Sequence, residues 1–230
     1  MTNSDSEQRQ EIELKYAVAN QEALDKFAAF VVSMQPAAGS SARTLQVNHF
    51  FDSEDLRLRR QRLLLRLRDE EGTIYVTAKG RLSGRKAQGA LSARAEDEVV
   101  IATKVAKSIL AGGDSPLVAL KLGMDCVSPL VQAIEATLSG VELRRVGSFQ
   151  NERTRLGPLA LGGSEVLFEL DHSSFPGGAE GYEIEVEAAS AAAAQQIAQR
   201  VEQWLEQAGV EWQTTTSKSS RFFEALTRPG

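Results

Sequence analysis

The chain lacks most of what would tie it to a membrane or an oxidising compartment. Cys126 is its only cysteine, so no intrachain disulfide can form and a reducing, cytoplasmic setting is expected. No run of about 18 apolar residues occurs, which excludes a bilayer-spanning helix. Met1 to Gln10 has neither the basic start nor the apolar centre of a secretory signal and reads as a disordered tail. There is no excess of basic charge either. The formal net charge is −5, which argues against a general nucleic-acid binder. Only two histidines are present. Neither His49 nor His172 is paired with a nucleophile in the sequence, so both read as structural or exposed. Aromatic residues make up 6%, and no aromatic stretch demands a nucleotide base.

What the chain does have is alternation. In Glu11-Ile12-Glu13-Leu14-Lys15 charged and apolar side chains follow one another without a break. Successive side chains of a β-strand point to opposite faces. Glu11, Glu13 and Lys15 therefore share one face, and Ile12, Leu14 and Tyr16 the other. With 42% hydrophobic and 25% charged residues over 230 positions, the composition is that of an ordinary globular protein. A barrel commonly runs this long as a single domain.

The spacing predicts strands over residues 10–18, about 44–52, 62–68, 73–79, from Arg94 to about Val99, 142–156, 159–171, 182–187 and 210–216. Helices are expected from an Asn20 N-cap through Val32, near 104–110 and 129–138, and from Ser190 to about Ala208, where Gly209 stops the last. Loops are expected at Pro36 to Ser41, at the polar stretch Ser53 to Gln61, and at the mobile, glycine-rich Gly80 to Ser92. Asp69 to Gly72 reads as a hairpin turn. Gly157-Pro158 reads as turning the chain, with a strand break near Gly162-Gly163 and a further turn at Pro176 to Gly181.

Two architectures fit this pattern. A sandwich would turn all the charged faces to water and bury the apolar ones against each other. The alternative is an α+β fold: a closed eight-stranded antiparallel β-barrel, or tunnel, with a charged lumen. The helices at 20–32, 104–138 and 190–209 would then cover its apolar outside. Their single apolar stripes need a sheet to cover, and acids on some strands are matched by bases on others. Such a lumen is costly when empty. Two like charges about 4 Å apart repel by roughly 4 kcal/mol at an effective dielectric of about 20. The bases ask for an anion and the carboxylates for a cation, and a polyphosphate with Mg²⁺ or Mn²⁺ supplies both.

Glu11-Ile12-Glu13-Leu14-Lys15, Leu65-Arg66-Leu67-Arg68, Thr77-Ala78-Lys79, Arg94-Ala95-Glu96-Asp97-Glu98, Glu152-Arg153-Thr154-Arg155, Phe168-Glu169-Leu170-Asp171, Tyr182-Glu183-Ile184-Glu185-Val186-Glu187 and Ser217-Lys218 occur in this order. Together they resemble the triphosphate tunnel metalloenzymes, or CYTH superfamily, over nearly the whole chain. The resemblance implies one CYTH domain over 11–226 that binds a linear triphosphate with one or two Mg²⁺ or Mn²⁺ ions, with Ca²⁺ inhibitory. The activity it implies first is hydrolysis of inorganic tripolyphosphate. Thiamine triphosphatase, nucleoside triphosphatase and adenylate cyclase are the alternatives, and a non-catalytic polyphosphate-binding module is the rival from another class.

The same resemblance implies metal ligands among Glu11, Glu13, Glu96, Glu98, Glu169, Asp171, Glu185 and Glu187. It implies phosphate binding by Lys15, Arg66, Arg68, Lys79, Arg94, Arg153, Arg155 and Lys218, and direct catalytic parts for Glu13, Lys15, Arg66 and Arg153. Glu183 joins the lumen without an assigned role, and Ser219 and Ser220 read as backbone-capping residues. The partner would be a small anion, not nucleic acid or a membrane, acting on a monomer or homodimer.

Overall fold

The computed structural model describes residues 10–35, 39–40, 42–80, 91–161 and 163–227. In chain order the elements are β1 (Gln10–Val18), α1 (Gln21–Met34), β2 (Thr44–Asp52), α2 (Arg57–Arg60), β3 (Leu63–Glu70), β4 (Thr73–Gly80) and β5 (Leu91–Ile101). Then come α3 (Thr103–Leu110), α4 (Pro116–Leu122), α5 (Pro129–Thr137), β6 (Arg144–Leu161), β7 (Ser164–Ser174) and β8 (Glu180–Glu187). The chain finishes with α6 (Ala191–Gln207), β9 (Trp212–Thr214) and α7 (Lys218–Thr227). The strands run in the order β5-β4-β3-β2-β6-β7-β8-β1-β9, and β5 also pairs with β1. That last pairing closes eight strands into an antiparallel barrel, with helices outside it. Closure leaves those eight strands no free edge.

Two compact units make up the chain. One contains Asn48–Gly84 and Arg94–Gly147 with Glu11. Here the apolar faces of β3 and β4 (Leu63, Leu65, Leu67, Ile74, Val76, Ala78) pack with Ile109, Leu120, Leu130, Val131 and Ile134 of the helices. The other contains Ile12–Val47 and Ser148–Gly230. There Ile12, Leu14, Tyr16, Phe168, Ile184 and Val186 pack under α1 and α6 through Phe27, Val31, Ile197, Val201 and Trp204. Leu65 is completely buried, and truncating such a side chain to alanine costs about 2–5 kcal/mol. The apolar sides of these strands thus serve the helices.

The caps follow the sequence. Asn20 accepts from the Ala23 amide and Ser190 from the Ala193 amide, each satisfying one free helix donor. Gly209 takes a left-handed φ of 64° just past α6.

Several expected boundaries move. Asp69 and Glu70 belong to β3, where they pair with Ile74 and Thr73. The turn is only Glu71-Gly72, both at positive φ as a two-residue hairpin of this hand requires. Gly157-Pro158 does not turn the chain. Strand β6 runs on to Leu161, and the register steps three residues from Leu156 to Leu159 against two from Phe168 to Val166. One extra residue is absorbed as a bulge, and the hairpin turn lies instead around Gly163. Within the expected loop Ser53 to Gln61 stands the short helix α2, whose Leu58 and Arg59 amides donate to Asp52. Between the two helices expected in 104–138 lies a third, α4, and the polar Ser217 to Arg221 opens α7. The expected tail at 1–10 (up to Arg9), most of the loops at 36–41 and 80–92, and Gly162 fall outside the described residues.

Candidate functional site

In the unit that contains β3 and β4, the face opposite the apolar core is charged. Cross-strand pairing sets Lys79 beside Glu96, and Thr77 between Arg66 and Glu98. Lys79 Nζ donates to both oxygens of Glu11, at 2.8 and 2.7 Å, and stands 3.3 Å from Glu96. Thr77 donates its hydroxyl to Glu98 Oε2 at 2.6 Å. Arg66 donates to Asn48 Oδ1 and to Thr77 Oγ1, both at 3.3 Å. Arg68 reaches Glu98 at 3.4 Å and lies over the Tyr75 ring.

These guanidiniums are only partly satisfied. The Nε–H groups of Arg66, Arg68 and Arg94 are buried and have no hydrogen-bond partner among the described residues. A buried donor left unpaired costs about 1–3 kcal/mol, more when charged. Burial, with Arg68 next to it, pushes the Arg66 pKa down to about 10, against the pull of Glu96, Glu98 and Glu11. An arginine whose charge is this poorly supported has room for an anion.

In the other unit, the strands β6, β7, β8 and β1 place a second set of charges in register. One row reads Arg155, Glu169, Glu185, Lys15, and the next Arg153, Asp171, Glu183, Ala17. Arg153 grips Asp171 with two donors, at 2.8 and 2.6 Å, the paired geometry that suits a guanidinium and a carboxylate. It also reaches Glu185 at 3.1 Å and touches Glu169. Burial works against charge on Arg153, but Asp171, Glu169 and Glu185 outweigh it and hold the proton firmly. Lys15 lies between Glu13, at 3.0 Å, and Glu185. Burial opposes its charge too, and the two carboxylates still raise its pKa.

The helix α7 supplies the remaining cations. Lys218 Nζ stands 2.7–2.8 Å from Asp171, Glu183 and Glu185. Burial disfavours its ammonium, and those three carboxylates more than restore it. Three residues on, Arg221 meets Glu183 at 2.5 Å. The contacts to Glu183 are ion pairs without hydrogen-bond alignment, since neither of its oxygens counts a hydrogen bond among the described residues. Ser217 caps this helix by accepting from the Ser220 amide; Ser219 and Ser220 turn their hydroxyls to Ser217 and do not cap.

Nearly all the residues singled out in the sequence thus stand in one of these two clusters. Glu187 pairs in register with Glu13 but is exposed. His49 and His172 lie outside both clusters: His172 stacks on Tyr182 at 4.6 Å, and His49 sits half-buried near Arg145. Among the described residues, no three His, Cys, Asp or Glu side chains are grouped so as to hold a metal ion; ammonium or guanidinium groups stand between many of the carboxylates. The donors on offer are nevertheless all oxygen, the set that hard divalent ions prefer.

Sequence reasoning missed the neutral polar partners. Gln46 and Asn48 are buried on β2. Asn151 donates to Gln46 and Asp171, and Ser173 donates to Asn151. Their signal was available, because Gln46 and Asn48 alternate with Leu45 and Val47 just as the charged residues alternate elsewhere.

Residues 9–222 match the CYTH domain. No curated protein matches the chain. Among solved structures, an adenylyl cyclase candidate from Hippeastrum, reported to show a dominant triphosphatase activity, is 21% identical with a TM-score of 0.74. The match covers 95% of this chain and 98% of that one. An adenylate cyclase candidate from Bacillus halodurans is 23% identical, with a TM-score of 0.64, over 93% of this chain and 98% of that one. A protein from Pyrococcus horikoshii shares 18% identity over the same fractions, with a TM-score of 0.54. At these identities the likeness concerns the fold alone. With the family match spanning nearly its whole length, the chain belongs to the CYTH domain family.

Proposed function

We propose that this protein hydrolyses linear triphosphates with the help of a divalent metal, inorganic tripolyphosphate being the first substrate to test. The observation that carries the reading is the set of buried Nε–H donors on Arg66, Arg68 and Arg94 that make no hydrogen bond among the described residues. Phosphate oxygens accept from arginine in pairs, and lysine adds point charge. Lys79 adds such a charge beside these arginines, and in the other unit Arg153, Arg155, Lys15 and Lys218 are the cations proposed for phosphate. A triphosphate gives hydrogen-bond acceptors to buried donors that make no hydrogen bond among the described residues.

The carboxylates that would hold Mg²⁺ or Mn²⁺ are drawn from Glu11, Glu13, Glu96, Glu98, Glu169, Asp171, Glu185 and Glu187. A bound ion of that kind neutralises phosphate charge and lowers the pKa of a water. The chain's own part is to bind and orient. Arg66 and Arg68 hold phosphate oxygens, and Thr77 and Asn48 fix the Arg66 fork. Lys15, Lys218 and Arg153 keep the buried Asp171 and Glu185 ionised. Orientation and fixed charge are the main sources of rate in phosphoryl transfer.

The test is phosphate release from tripolyphosphate, thiamine triphosphate and ATP, with Mg²⁺ and Mn²⁺ assayed separately. Release that chelator abolishes and Glu13→Gln largely removes is the expected result. Full activity in excess chelator, or no release from any of the three, would overturn the reading. A cyclase would instead convert ATP to a cyclic nucleotide and diphosphate, with no orthophosphate released.

A further inference from the structure

The charged face formed by β3, β4 and β5 includes a row that is mostly uncharged. Beyond Lys79 with Glu96, and Arg66 with Thr77 and Glu98, the next cross-strand row is Arg68, Tyr75 and Val100. Val100 has the same parity on β5 as Glu96 and Glu98, so it shares their face. Its neighbours Val99 and Ile101 turn the other way and pack on the apolar core. Even so, Val100 is 63% exposed. An aliphatic side chain in water is out of keeping with a strand face otherwise given to charge. Beside it the Arg68 guanidinium lies 4.6 Å from the centroid of the Tyr75 ring.

We infer that Tyr75 and Val100 form a seat for the organic end of a triphosphate ester and set the preference between esters bearing a flat, uncharged ring and the inorganic substrate. The inference rests on the triphosphate reading above. Arg68 is at once a phosphate donor and the neighbour of Tyr75. An ester whose phosphate rests on Arg68 therefore carries its organic group to this row. A ring there covers apolar surface now in water. With Arg68 countered by Glu98 at 3.4 Å and Glu70 at 3.7 Å, what the row offers is apolar surface and a ring face, and the class of ester that carries a flat, uncharged ring is a nucleoside triphosphate. Inorganic tripolyphosphate has no organic group to cover Tyr75 and Val100.

Calorimetric titration with Ca²⁺ as the ion, to slow turnover, separates the possibilities. The ligands are tripolyphosphate, methyl triphosphate and ATP, and the proteins are wild type, Val100→Asn and Val100→Leu. Because Val100 is exposed, neither change disturbs the core. Val100→Asn should raise the Kd for ATP about fivefold or more while leaving the other two within about twofold. Val100→Leu, still apolar, should bind ATP within about twofold of wild type. An ATP affinity that ignores Val100→Asn overturns this inference alone, as does equal weakening of all three ligands. Failure of wild type to bind any of the three overturns the triphosphate reading and this inference with it.

Discussion

Arg221 occupies the space where a side chain on Gly181 would begin, so that a Cβ there would overlap its Nη1. Gly181 does not take a left-handed φ, so the reason for glycine is room, not backbone freedom. From that position the guanidinium reaches Glu183 and lies 5.1 Å over the Phe175 ring. Gly181→Ala should displace Arg221 and leave the fully buried Glu183 to Lys218 alone. The expected loss in urea unfolding is about 1–3 kcal/mol. In an Arg221→Ala background the same glycine change should cost less than about 0.5 kcal/mol. Equal costs in both backgrounds would show that the guanidinium is not what the glycine serves.

Arg66 separates clamping from catalysis. Replacing it with alanine removes a charge-assisted contact worth roughly 1.5–3 kcal/mol. Part of that contact exists with bound substrate and part strengthens in the transition state, so KM should rise and kcat should fall. Arg66→Lys should recover only part of the loss, because an ammonium cannot form the paired fork. Steady-state kinetics on tripolyphosphate at fixed free Mg²⁺ provides the check. Both parameters within about twofold of wild type, under roughly 0.4 kcal/mol, would mean that Arg66 does not meet the substrate.

Ligand should also stabilise the fold. A molecule that binds only the native state adds about 2.7 kcal/mol at roughly a hundredfold excess over its Kd. A melting scan with tripolyphosphate and Ca²⁺ should therefore show a raised Tm. The rise should shrink in Arg68→Ala, which lacks one donor. An unchanged Tm at saturating ligand would contradict a preformed anion site.

His49 makes a separate, pH-dependent demand. Burial, and then Arg145, lower its pKa below the ordinary value of 6.5, with Asp69 only partly opposing them. The unfolded chain therefore takes up a proton at a higher pH than the native chain does. Stability should be full above about pH 6.5 and fall as the pH drops through the lower native value. His49→Gln cannot titrate. Chemical denaturation from about pH 7.5 to about pH 5 should show a flatter profile for this variant than for wild type. Parallel profiles would dismiss His49 as the source.

The barrel was legible because charge and apolarity trade places every second residue. Glu11, Glu13 and Lys15 against Ile12 and Leu14 fix both the strand and its two faces. The same habit hid the neutral partners. Gln46, Asn48, Asn151 and Ser173 carry no formal charge, and a reading keyed to ionised groups passes over them. The helix α7 was missed because Ser217 to Ser220 shows no apolar stripe; its burial comes from Phe222 and Phe223 further on. Gly157-Pro158 looks like a turn by local chemistry. Only the pairing of Leu156 with Phe168 and Leu159 with Val166 shows that the strand continues. Long-range pairing decided what local propensity could not.

The place of Lys218 and Arg221 on α7 also orders events during synthesis. Asp171, Glu183 and Glu185 are translated more than thirty residues before the two cations on that helix. Lys15 waits longer still, since its partner Glu185 comes 170 residues later. On the ribosome, then, Arg153 and Lys15 precede Asp171 and Glu185, whereas Glu183 meets its cations Lys218 and Arg221 only when α7 emerges. A buried carboxylate without its counter-charge is costly, so Glu183 is expected to stay hydrated until residues 218–221 are free of the exit tunnel. The helix α7 is thus the late counter-charge for a carboxylate already in place on β8.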